Sequence, residues 1–349
     1  MTLKKVKILY AIQGTGNGHL ARARDIYPEL EKYGSTDVLV SGIQADLDLP
    51  FPVKYRLHGL SFIFGKHGGV DRWATLKRLR LLRLLYDIFR LDVRQYDLVI
   101  SDFEPVSSWA CKLYRKPCIA LSHQSAVLHP QAPKPLHRDW FGKLVLKYYA
   151  PHHLAYGFHF RAMDQQVFTP VIRKEVRQLS VSQGKHITVY LPSYDDNVLV
   201  KELSAFPDVE WQVFSKHCKE AFSFKDIHIR PIENNAFMAS MAASAAVLCG
   251  AGFETPAEAL FLGKKLLAIP MHGQLEQQYN AAFLSSLGVL CIPELHKKHR
   301  AQIREWISHT QPICVQYPDN TRNVVARVME DFLLGQLSVL PVATPQISA

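Results

Sequence analysis

The sequence predicts an α/β protein with two doubly wound domains that face a central cleft. Its 349 residues exceed the size of one typical hydrophobic core. A β-rich run from Val6 to Ile12 leads through a glycine-containing loop into a helical pattern, which is how doubly wound domains begin. A comparable run, Ile187 to Leu191, begins a second unit. We therefore predict an N-terminal domain over residues 1–168, a C-terminal domain over 169–335 and a tail over 336–349.

The composition is typical of a globular protein in a reducing compartment. Hydrophobic residues make up 48% of the chain and charged residues 21%. The six cysteines show no CxxC spacing, which indicates reduced thiols and neither a disulfide framework nor a zinc site. No apolar run reaches the roughly 18 residues of a membrane span, and the N-terminal run is interpreted as a strand, not a signal peptide. We expect a cytoplasmic protein.

The positive charge lies in the first half of the chain. Residues 1–165 contain 24 Lys and Arg against 14 Asp and Glu, which accounts for the whole formal charge of +10. This asymmetry indicates an anionic surface or substrate as partner, although a solvated basic face gives the same pattern. Clustered aromatic and basic repeats that would stack on bases are missing from the sequence, so no nucleic acid partner is expected.

Polar residues follow the predicted strands of the first half. The loop Gln13 to His19 precedes a helical pattern from Leu20 to Tyr33. Asp102 follows one later strand, and His123 and Gln124 follow another. Open α/β sheets bind ligands beyond the carboxyl ends of their strands, so these side chains are site candidates, although such groups also serve as simple loop caps. The strands predicted after the first are Thr36–Val40, Tyr96–Ser101 and Pro117–Leu121.

One helical pattern, Trp73 to Leu91, is basic and unusually apolar. Leucines and aromatic residues cover well over half of its circumference, and Arg80, Arg83 and Arg90 form one stripe. A helix that packs on a sheet needs a narrower apolar arc. A basic helix of this kind can lie in a membrane interface with its arginines at the phosphates, and packing between the sheet and a neighbouring helix is the alternative.

The second half has the same alternation of strands and helices. Pro192, Ser193 and Tyr194 follow its first strand, and Ile232 ends a later one. No internal repeat and no low-complexity segment occurs. Further predicted elements are the strands Trp211–Phe214, His228–Ile232 and Ala246–Cys249 and the helices Phe237–Ser244 and Asn320–Leu334.

The stretch from Cys249 to Ala281 carries the strongest site pattern. It opens with small residues, Cys249 to Gly252, which allow a ligand to approach the backbone. Thr255 is predicted as the N-cap of the following helix, with Pro256 as its first residue and Gly263 at its end. Such a turn before a helix N-terminus suits a pyrophosphate, although an ordinary strand–turn–helix corner has the same pattern.

Further side chains of this stretch suit a nucleotide. Glu258 lies in the first turn of the helix, where its carboxylate can reach a ribose hydroxyl. A strand, Lys265 to Pro270, and a polar loop, His272 to Gln278, follow.

This stretch resembles the donor half of GT-B glycosyltransferases, especially the inverting MurG-like group with a family 28-type C-terminal domain and the plant galactolipid synthases. In that group, an alanine–glycine turn, a threonine and a glutamate bind the nucleotide diphosphate and ribose. A proline, an acidic or glutamine pair and an asparagine–alanine then hold the donor sugar. The matching residues are Ala251, Gly252, Thr255, Glu258, Pro270, Glu276-Gln277 (alternatively Gln277-Gln278) and Asn280-Ala281.

The first loop resembles the glycine-rich loop of the same group, which closes over the diphosphate and faces the acceptor. Gly16, Gly18 and His19 match, whereas Asn17 stands where the peptidoglycan enzyme tends to have glycine. The resemblance implies that His19 is the general base, and histidine suits this because its pKa is near neutrality. Capping of the loop by His19 is the alternative. Asp102 is the candidate residue that orients His19 as the base.

The resemblance also implies the remaining site residues. Ser193 lies where GT-B enzymes place a small residue near the donor phosphates, and Ile232 where a backbone group contacts uracil. Asn17, His123 and Gln124 are the candidates for acceptor binding. The complete donor set is Gly16, Gly18, Ser193, Ile232, Gly250, Ala251, Gly252, Phe253, Thr255, Glu258, Glu276 and Gln277.

The implied function is inverting transfer of a sugar from a UDP-sugar to an acceptor hydroxyl. The UDP-sugar is a co-substrate, and no cofactor or metal is expected. The MurG-like group transfers sugars to lipid acceptors, so the enzyme is expected in the cytoplasm with peripheral contact to the inner face of the membrane. Two alternatives stay open: a UDP-sugar epimerase of the same architecture, and a non-catalytic basic protein that binds membranes. The sequence leaves the donor sugar and the acceptor open.

Overall fold

Two seven-stranded β-sheets with helices packed on them form the protein in a computed structural model, which describes residues 6–42, 48–59, 81–135 and 139–335. The strands of the first sheet are β1 Val6–Gln13, β2 Gly34–Ser41, β3 Tyr55–Leu57, β4 Leu98–Asp102, β5 Cys118–Ser122, β6 Leu154–Phe158 and β7 Val167–Phe168. Those of the second are β8 Ile187–Tyr190, β9 Trp211–Ser215, β10 Phe222–Phe224, β11 Ile227–Pro231, β12 Ala246–Gly250, β13 Lys265–Ile269 and β14 Leu290–Cys291.

Twelve α-helices lie within the described residues. Those of the first half are α1 Asn17–Leu30, α2 Leu81–Arg90, α3 Pro105–Tyr114, α4 His123–Val127 and α5 Trp140–Tyr148. The others are α6 Lys174–Arg177, α7 Asp196–Leu203, α8 Asn234–Ala243, α9 Glu254–Phe261, α10 Leu275–Ser286, α11 Arg300–His309 and α12 Thr321–Leu333. Among these residues, no helix has both the length and the apolar character that crossing a bilayer requires.

Among its parallel strands, each sheet reverses its strand order at one point. The first has the order β3-β2-β1-β4-β5-β6-β7 with all neighbours parallel. The second has the order β10-β11-β9-β8-β12-β13-β14, with only β10 antiparallel. The reversals fall between β1 and β4 and between β8 and β12. Loops after these strands therefore flank the crevices in which open α/β sheets bind ligands.

The central strands are buried because helices cover both faces of each sheet. In β1, the run from Ile8 to Ile12 has no exposed surface, as expected for a parallel strand of continuous hydrophobic sequence. The first sheet ends at Phe168 and the second begins at Ile187. The boundary between residues 168 and 169 stays a prediction.

The helix α12 returns to the first half. It packs against α1, and Tyr156 of β6 donates a hydrogen bond to Asp331 of α12. The hydroxyl of Tyr317, just before α12, donates to the carbonyl of Phe160 at 3.0 Å. The last helix is thus part of the support for the first sheet.

Two predicted helix starts were wrong. The helix α1 begins at Asn17, not Leu20, with Gly16 as N-cap, so Asn17, Gly18 and His19 form its first turn. The helix α9 begins at Glu254 with Phe253 as N-cap, so Thr255 is not the cap. Neither Gly16 nor Phe253 makes a side-chain hydrogen bond to its helix. The true helix starts therefore lack the polar capping side chain by which a start is predicted from sequence. Proline is tolerated anywhere in a first turn, where its missing N–H is not needed.

The predicted loop His272–Gln278 was also wrong in its second part. The helix α10 begins at Leu275 and contains Glu276 and Gln277. Its buried face includes the polar Asn280, which weakens the apolar periodicity that announces a helix. By contrast, the end of α9 is as predicted. Gly263 adopts a φ of +65°, and the next N–H, of Lys264, donates to the carbonyl of Ala259 at 2.9 Å.

Two further predictions fall partly on residues outside the described ranges. The predicted helix Trp73–Leu91 is described only from Leu81 onwards, where α2 ends at Arg90. Arg80 of its basic stripe and the predicted tail, 336–349, lie outside the described residues.

Candidate functional site

His19 and Asp102 meet at the reversal point of the first sheet. Asp102 is the last residue of β4 and has no exposed surface, and His19 lies in the first turn of α1 after β1. The Nδ1 atom of His19 lies 2.9 Å from Oδ1 of Asp102. The carboxylate accepts a hydrogen bond from the ring, so in the neutral imidazole Nδ1 carries the hydrogen and Nε2 has the lone pair. The contact with Asp102 therefore fixes the orientation of the His19 ring.

Arg22 extends this pair towards the second half of the chain. It lies one helical turn after His19, and its Nη2 donates to both oxygens of Asp102 at 2.8 Å. Its Nη1 donates to Glu254, the first residue of α9. Arg22 is 1% exposed. The two halves of the molecule thus share one buried guanidinium.

The charges of this cluster stabilise one another. Burial raises the pKa of Asp102, but Arg22 and His19 lower it by more, so the carboxyl stays ionised. Burial lowers the pKa of Arg22, and Asp102 and Glu254 outweigh this effect, so the guanidinium stays charged. For Glu254, burial prevails over the effect of Arg22 and raises the pKa to about 7. Of the three charged groups Asp102, Arg22 and Glu254, the charged form of Glu254 is stabilised least.

Sequence reasoning missed both Arg22 and Glu254. One signal was present in the sequence: an arginine three residues after His19 in a helix shares its face. Glu254 gave no comparable signal, because its partner is 232 positions away.

The predicted acceptor residues also bridge the two halves. Gln124 Nε2 donates to Oε2 of Glu276 at 3.0 Å and lies 3.4 Å from Nε2 of His19. With the hydrogen of His19 on Nδ1, Nε2 accepts a weak hydrogen bond from Gln124. Gln124 therefore connects Glu276 of the second half to His19 of the first.

His123 is enclosed by protein atoms. Its Nδ1 lies 2.8 Å from the carbonyl oxygen of Phe158 and its Nε2 lies 2.7 Å from Oδ1 of Asn280. The ring stacks on Phe253 with centroids 3.9 Å apart. Burial lowers the pKa of His123. In this arrangement, His123 and Phe253 join the two halves, and neither ring faces open space.

The small residues after β12 border the start of α9. Both backbone polar groups of Ala251 are engaged, since its N–H donates to Ile269 and its carbonyl accepts from Asn280. At Gly252 and at Gly16, a Cβ would meet no atom within 4 Å. The first N–H groups of α9 have no intrahelical partner. Open space and helix amides therefore coincide at the predicted diphosphate position.

The predicted ribose contact, Glu258, is held by a second buried arginine. Arg173 donates from Nε and Nη2 to the two Glu258 oxygens at 2.5 Å and 2.7 Å. Its Nη1 donates to Oδ1 of Asn234 at 2.8 Å. Arg173 precedes α6 and was not a candidate, because a lone arginine in a linker carries no pattern.

The other predicted residues lie at the same edge of the second sheet. Ser193 is buried after β8, and Ile232 follows β11. Gln277 accepts the N–H of Met271 at 2.8 Å through its Oε1, so it holds the loop after β13. Gly250 ends β12 near that same oxygen, which lies 3.8 Å from the position of a Cβ. Asn17 opens α1 beside His19, and Thr255 is partly exposed in the first turn of α9.

Across the described part of the chain, no group of three His, Cys, Asp or Glu side chains is arranged to hold a metal ion.

The family model for glycosyl transferase family 1 matches residues 6–310. This chain belongs to that family. A search of curated proteins found no significant match. The family match confirms the predicted glycosyltransferase activity and the resemblance on which the prediction rested.

Solved structures share the fold of this glycosyltransferase at low sequence identity. The kitacinnamycin glycotransferase is 12% identical, with a TM-score of 0.57 over 97% of this chain and 100% of that one. MurG of Acinetobacter baumannii is 14% identical, with a TM-score of 0.51 over 93% and 99%. A UDP-N-acetylglucosamine 2-epimerase is 14% identical, with a TM-score of 0.52 over 98% and 100%. The GT-B fold is confirmed.

Proposed function

We propose that this glycosyltransferase moves a sugar from a UDP-sugar to an acceptor hydroxyl with inversion at the anomeric carbon. The observation that carries the proposal is the His19–Asp102 pair, which lies at the reversal point of the first sheet and connects through Arg22 to the start of α9. A base and a helix N-terminus then face one cleft from opposite halves. The resemblance to MurG-like enzymes and the UDP-sugar in the name of the similar epimerase support uridine as the base.

The proposed step is a single displacement. The acceptor oxygen bonds to the anomeric carbon, its proton passes to Nε2 of His19, and the bond from that carbon to the diphosphate oxygen breaks with its electron pair on the diphosphate. Asp102 keeps His19 in the required tautomer and stabilises the imidazolium that forms. The N–H groups at the start of α9 stabilise the leaving diphosphate. No metal is needed in this scheme.

A panel of nucleotides tests the donor proposal. UDP, GDP, TDP and CDP are added to the full chain with and without EDTA, and the melting temperature is recorded. A ligand at 100 times its Kd stabilises the folded state by about 2.7 kcal/mol. We expect a shift with UDP that EDTA does not change. Stabilisation by another nucleotide alone would contradict uridine, and loss of the shift with EDTA would contradict the metal-free scheme.

A UDP-sugar epimerase is the second candidate function. The cleft brings together three carboxylates, Asp102, Glu254 and Glu276, and epimerases of this architecture use several. The two activities differ at carbon, because epimerisation next to the anomeric centre breaks a C–H bond and glycosyl transfer does not. Incubation of UDP-sugars in D₂O separates them. Deuterium in the recovered sugar would favour the epimerase, and its absence together with acceptor-dependent UDP release would favour the transferase.

The surface formed by α2 and α3 supports an anionic membrane as the place of action. Leu82 and Phe89 of α2 are 84% and 61% exposed. Arg83, Arg90 and Lys112 are exposed among these apolar side chains. A cavity of about 520 Å³ lies between the two helices, lined by Leu84, Leu85, Ile88, Phe89, Trp109, Lys112 and Leu113. Apolar side chains with basic neighbours bind anionic lipid interfaces.

Vesicle sedimentation tests this surface. We expect binding to vesicles of phosphatidylglycerol and phosphatidylcholine that falls with salt and with Arg83→Glu/Arg90→Glu. Lys298→Glu, at an exposed site of the second half, is the matched control. Equal binding by the double variant and the wild-type protein would contradict the membrane proposal and leave the donor proposal intact.

A further inference from the structure

The ion pair between Arg22 and Glu254 crosses the cleft at the proposed donor site. Glu254 is the first residue of α9, and the α9 N-terminus has no side-chain cap. Its carboxylate therefore lies at the helix end that would bind a diphosphate, and it already contacts the nearest cation of the first half. A negative side chain holds a cation beside the position proposed for a negative ligand.

The packing shows how closely the two halves meet at this point. A Cβ on Gly18 would lie 2.9 Å from Cγ of Glu254, so only glycine at position 18 allows the side chain to reach Arg22 without displacement. The side chain of Glu254 retains 18% exposure. It therefore has solvent on one side, into which it can move.

Arg22 has bonding capacity beyond its present partners. Its Nη2 is committed to Asp102, and its Nη1 holds Glu254. Its Nε is buried and has no hydrogen-bond partner among the described residues. An arginine fork binds phosphate oxygens through two parallel N–H groups. A diphosphate that replaces Glu254 at Nη1 would maintain the charge balance of Arg22 and offer it more oxygen acceptors than one carboxylate does.

We propose that Glu254 is a built-in competitor for the donor diphosphate: its carboxylate occupies Arg22 in the free protein, and the entering diphosphate displaces it. The inference rests on the proposed donor site and adds a cation from the acceptor half to it. Arg22 then binds the leaving group while it also holds Asp102, which orients His19. Donor binding and positioning of the base therefore share one side chain.

The environment of Glu254 supports the exchange. Burial raises the pKa of Glu254 to about 7, even though Arg22 acts in the opposite direction, and Glu258 and Asp102 add repulsion. The charged carboxylate is thus poorly solvated where it lies, and movement towards solvent relieves that penalty. Arg22 keeps its charge through the exchange because Asp102 remains bound to it.

Calorimetric titration of UDP into the full chain tests the inference. Glu254→Gln removes the competing charge with little change in shape, and we expect the Kd of UDP to fall about tenfold. Arg22→Lys removes the fork, and we expect the Kd to rise about tenfold. In the double variant, Glu254→Gln should no longer tighten binding. Glu305→Gln, the same change at an exposed position of α11, should leave the Kd unchanged.

The outcomes separate this inference from the donor proposal. If the wild-type protein binds UDP but Glu254→Gln leaves the Kd unchanged or raises it, the competitor role is wrong and the donor site stands. If the wild-type protein binds no UDP, the donor site itself is wrong, and the inference falls with it. Glu254→Gln decides the matter even if Arg22→Lys fails to fold, because it retains the Arg22–Asp102 contact.

Discussion

Among the described residues of this glycosyltransferase, two buried arginines have carboxylate partners, and they differ in how completely they are bonded. Arg173 uses all three of its nitrogens on Glu258 and Asn234. Arg22 divides two nitrogens between Asp102 and Glu254 and leaves Nε without a described partner. A fully bonded fork has nothing to exchange, whereas a divided fork can change partners. The first arrangement therefore maintains structure and the second suits a ligand.

The origin of the partners supports this distinction. Glu258 and Asn234 both belong to the second half of the chain, so the Arg173 cluster would persist if the two halves moved apart. Asp102 and Glu254 come from different halves, so the same movement would separate Arg22 from Glu254 and leave it paired with Asp102. Glu258 has both oxygens bonded to Arg173. The contact of Glu258 with ribose stays a prediction. A ribose hydroxyl would donate to the lone pairs of the Glu258 carboxylate that Arg173 does not use.

The largest expected effect is on activity at the Arg22 cluster. His19→Ala should lower kcat by about 10²- to 10⁴-fold, because a positioned general base contributes that much. The Kd of UDP should stay within about twofold, since His19 faces the acceptor side. Steady-state kinetics and calorimetry measure the two quantities. His309→Ala, at an exposed site in α11, is the control, and full turnover by His19→Ala would remove His19 as the base.

The next effect is on stability at the Arg173 cluster. Arg173→Leu leaves the Glu258 carboxylate, which is 3% exposed, without its cation, and we expect a loss of about 3–5 kcal/mol in the free energy of unfolding. Urea denaturation measures it. Adding Glu258→Leu should recover most of the loss, because the unpaired charge is gone. If Arg173→Leu costs no more than Glu254→Gln, the two clusters are alike and the comparison fails.

A smaller effect is expected at Asp25, a buried carboxylate that forms no ion pair with the residues that the structure describes. Burial, assisted by Glu175, raises the pKa of Asp25 to about 6. The folded state then binds more protons than the unfolded state between about pH 4 and pH 6, so the contribution of Asp25 to stability falls as the pH rises through that range. Asp25→Asn should remove this slope and stabilise the protein at pH 7 by about 1 kcal/mol.

Denaturation midpoints at pH 4.5 and pH 7 test the prediction for Asp25. Asp208→Asn, at an exposed site, should leave the pH dependence unchanged. An unchanged slope in Asp25→Asn would show that Asp25 has an ordinary pKa. Asp25 would then not differ from the carboxylates that are paired with arginine.

Local signals predicted the fold and the contact between His19 and Asp102. Both sheets follow from strands that alternate with helices. A glycine-containing turn follows one of the two strands at each reversal point, β1 in the first sheet and β12 in the second. His19 and Asp102 were predictable because residues after neighbouring parallel strands meet at one edge. These inferences need only the order of elements along the chain and the parallel pairing of the strands.

Contacts between the halves were not predictable in the same way. Gln124 meets Glu276, and His123 meets Asn280, across more than 150 positions of sequence. Their partners depend on how the two sheets are placed, which no local pattern encodes. His123 was therefore predicted to face the acceptor but is enclosed between the halves. Phe253 was predicted to bind the donor but packs on His123.

The return of α12 to the first half has a consequence for chimeric enzymes. Donor preference is an obvious property to exchange between relatives by joining the first half of one to the second half of another. A single junction after Phe168 would also replace α12, which packs on α1, the helix that carries His19 and Arg22. A chimera that keeps its own α12 needs a second junction before Thr321. The exchangeable unit is therefore an internal segment of the chain, with the parent enzyme on both sides of it.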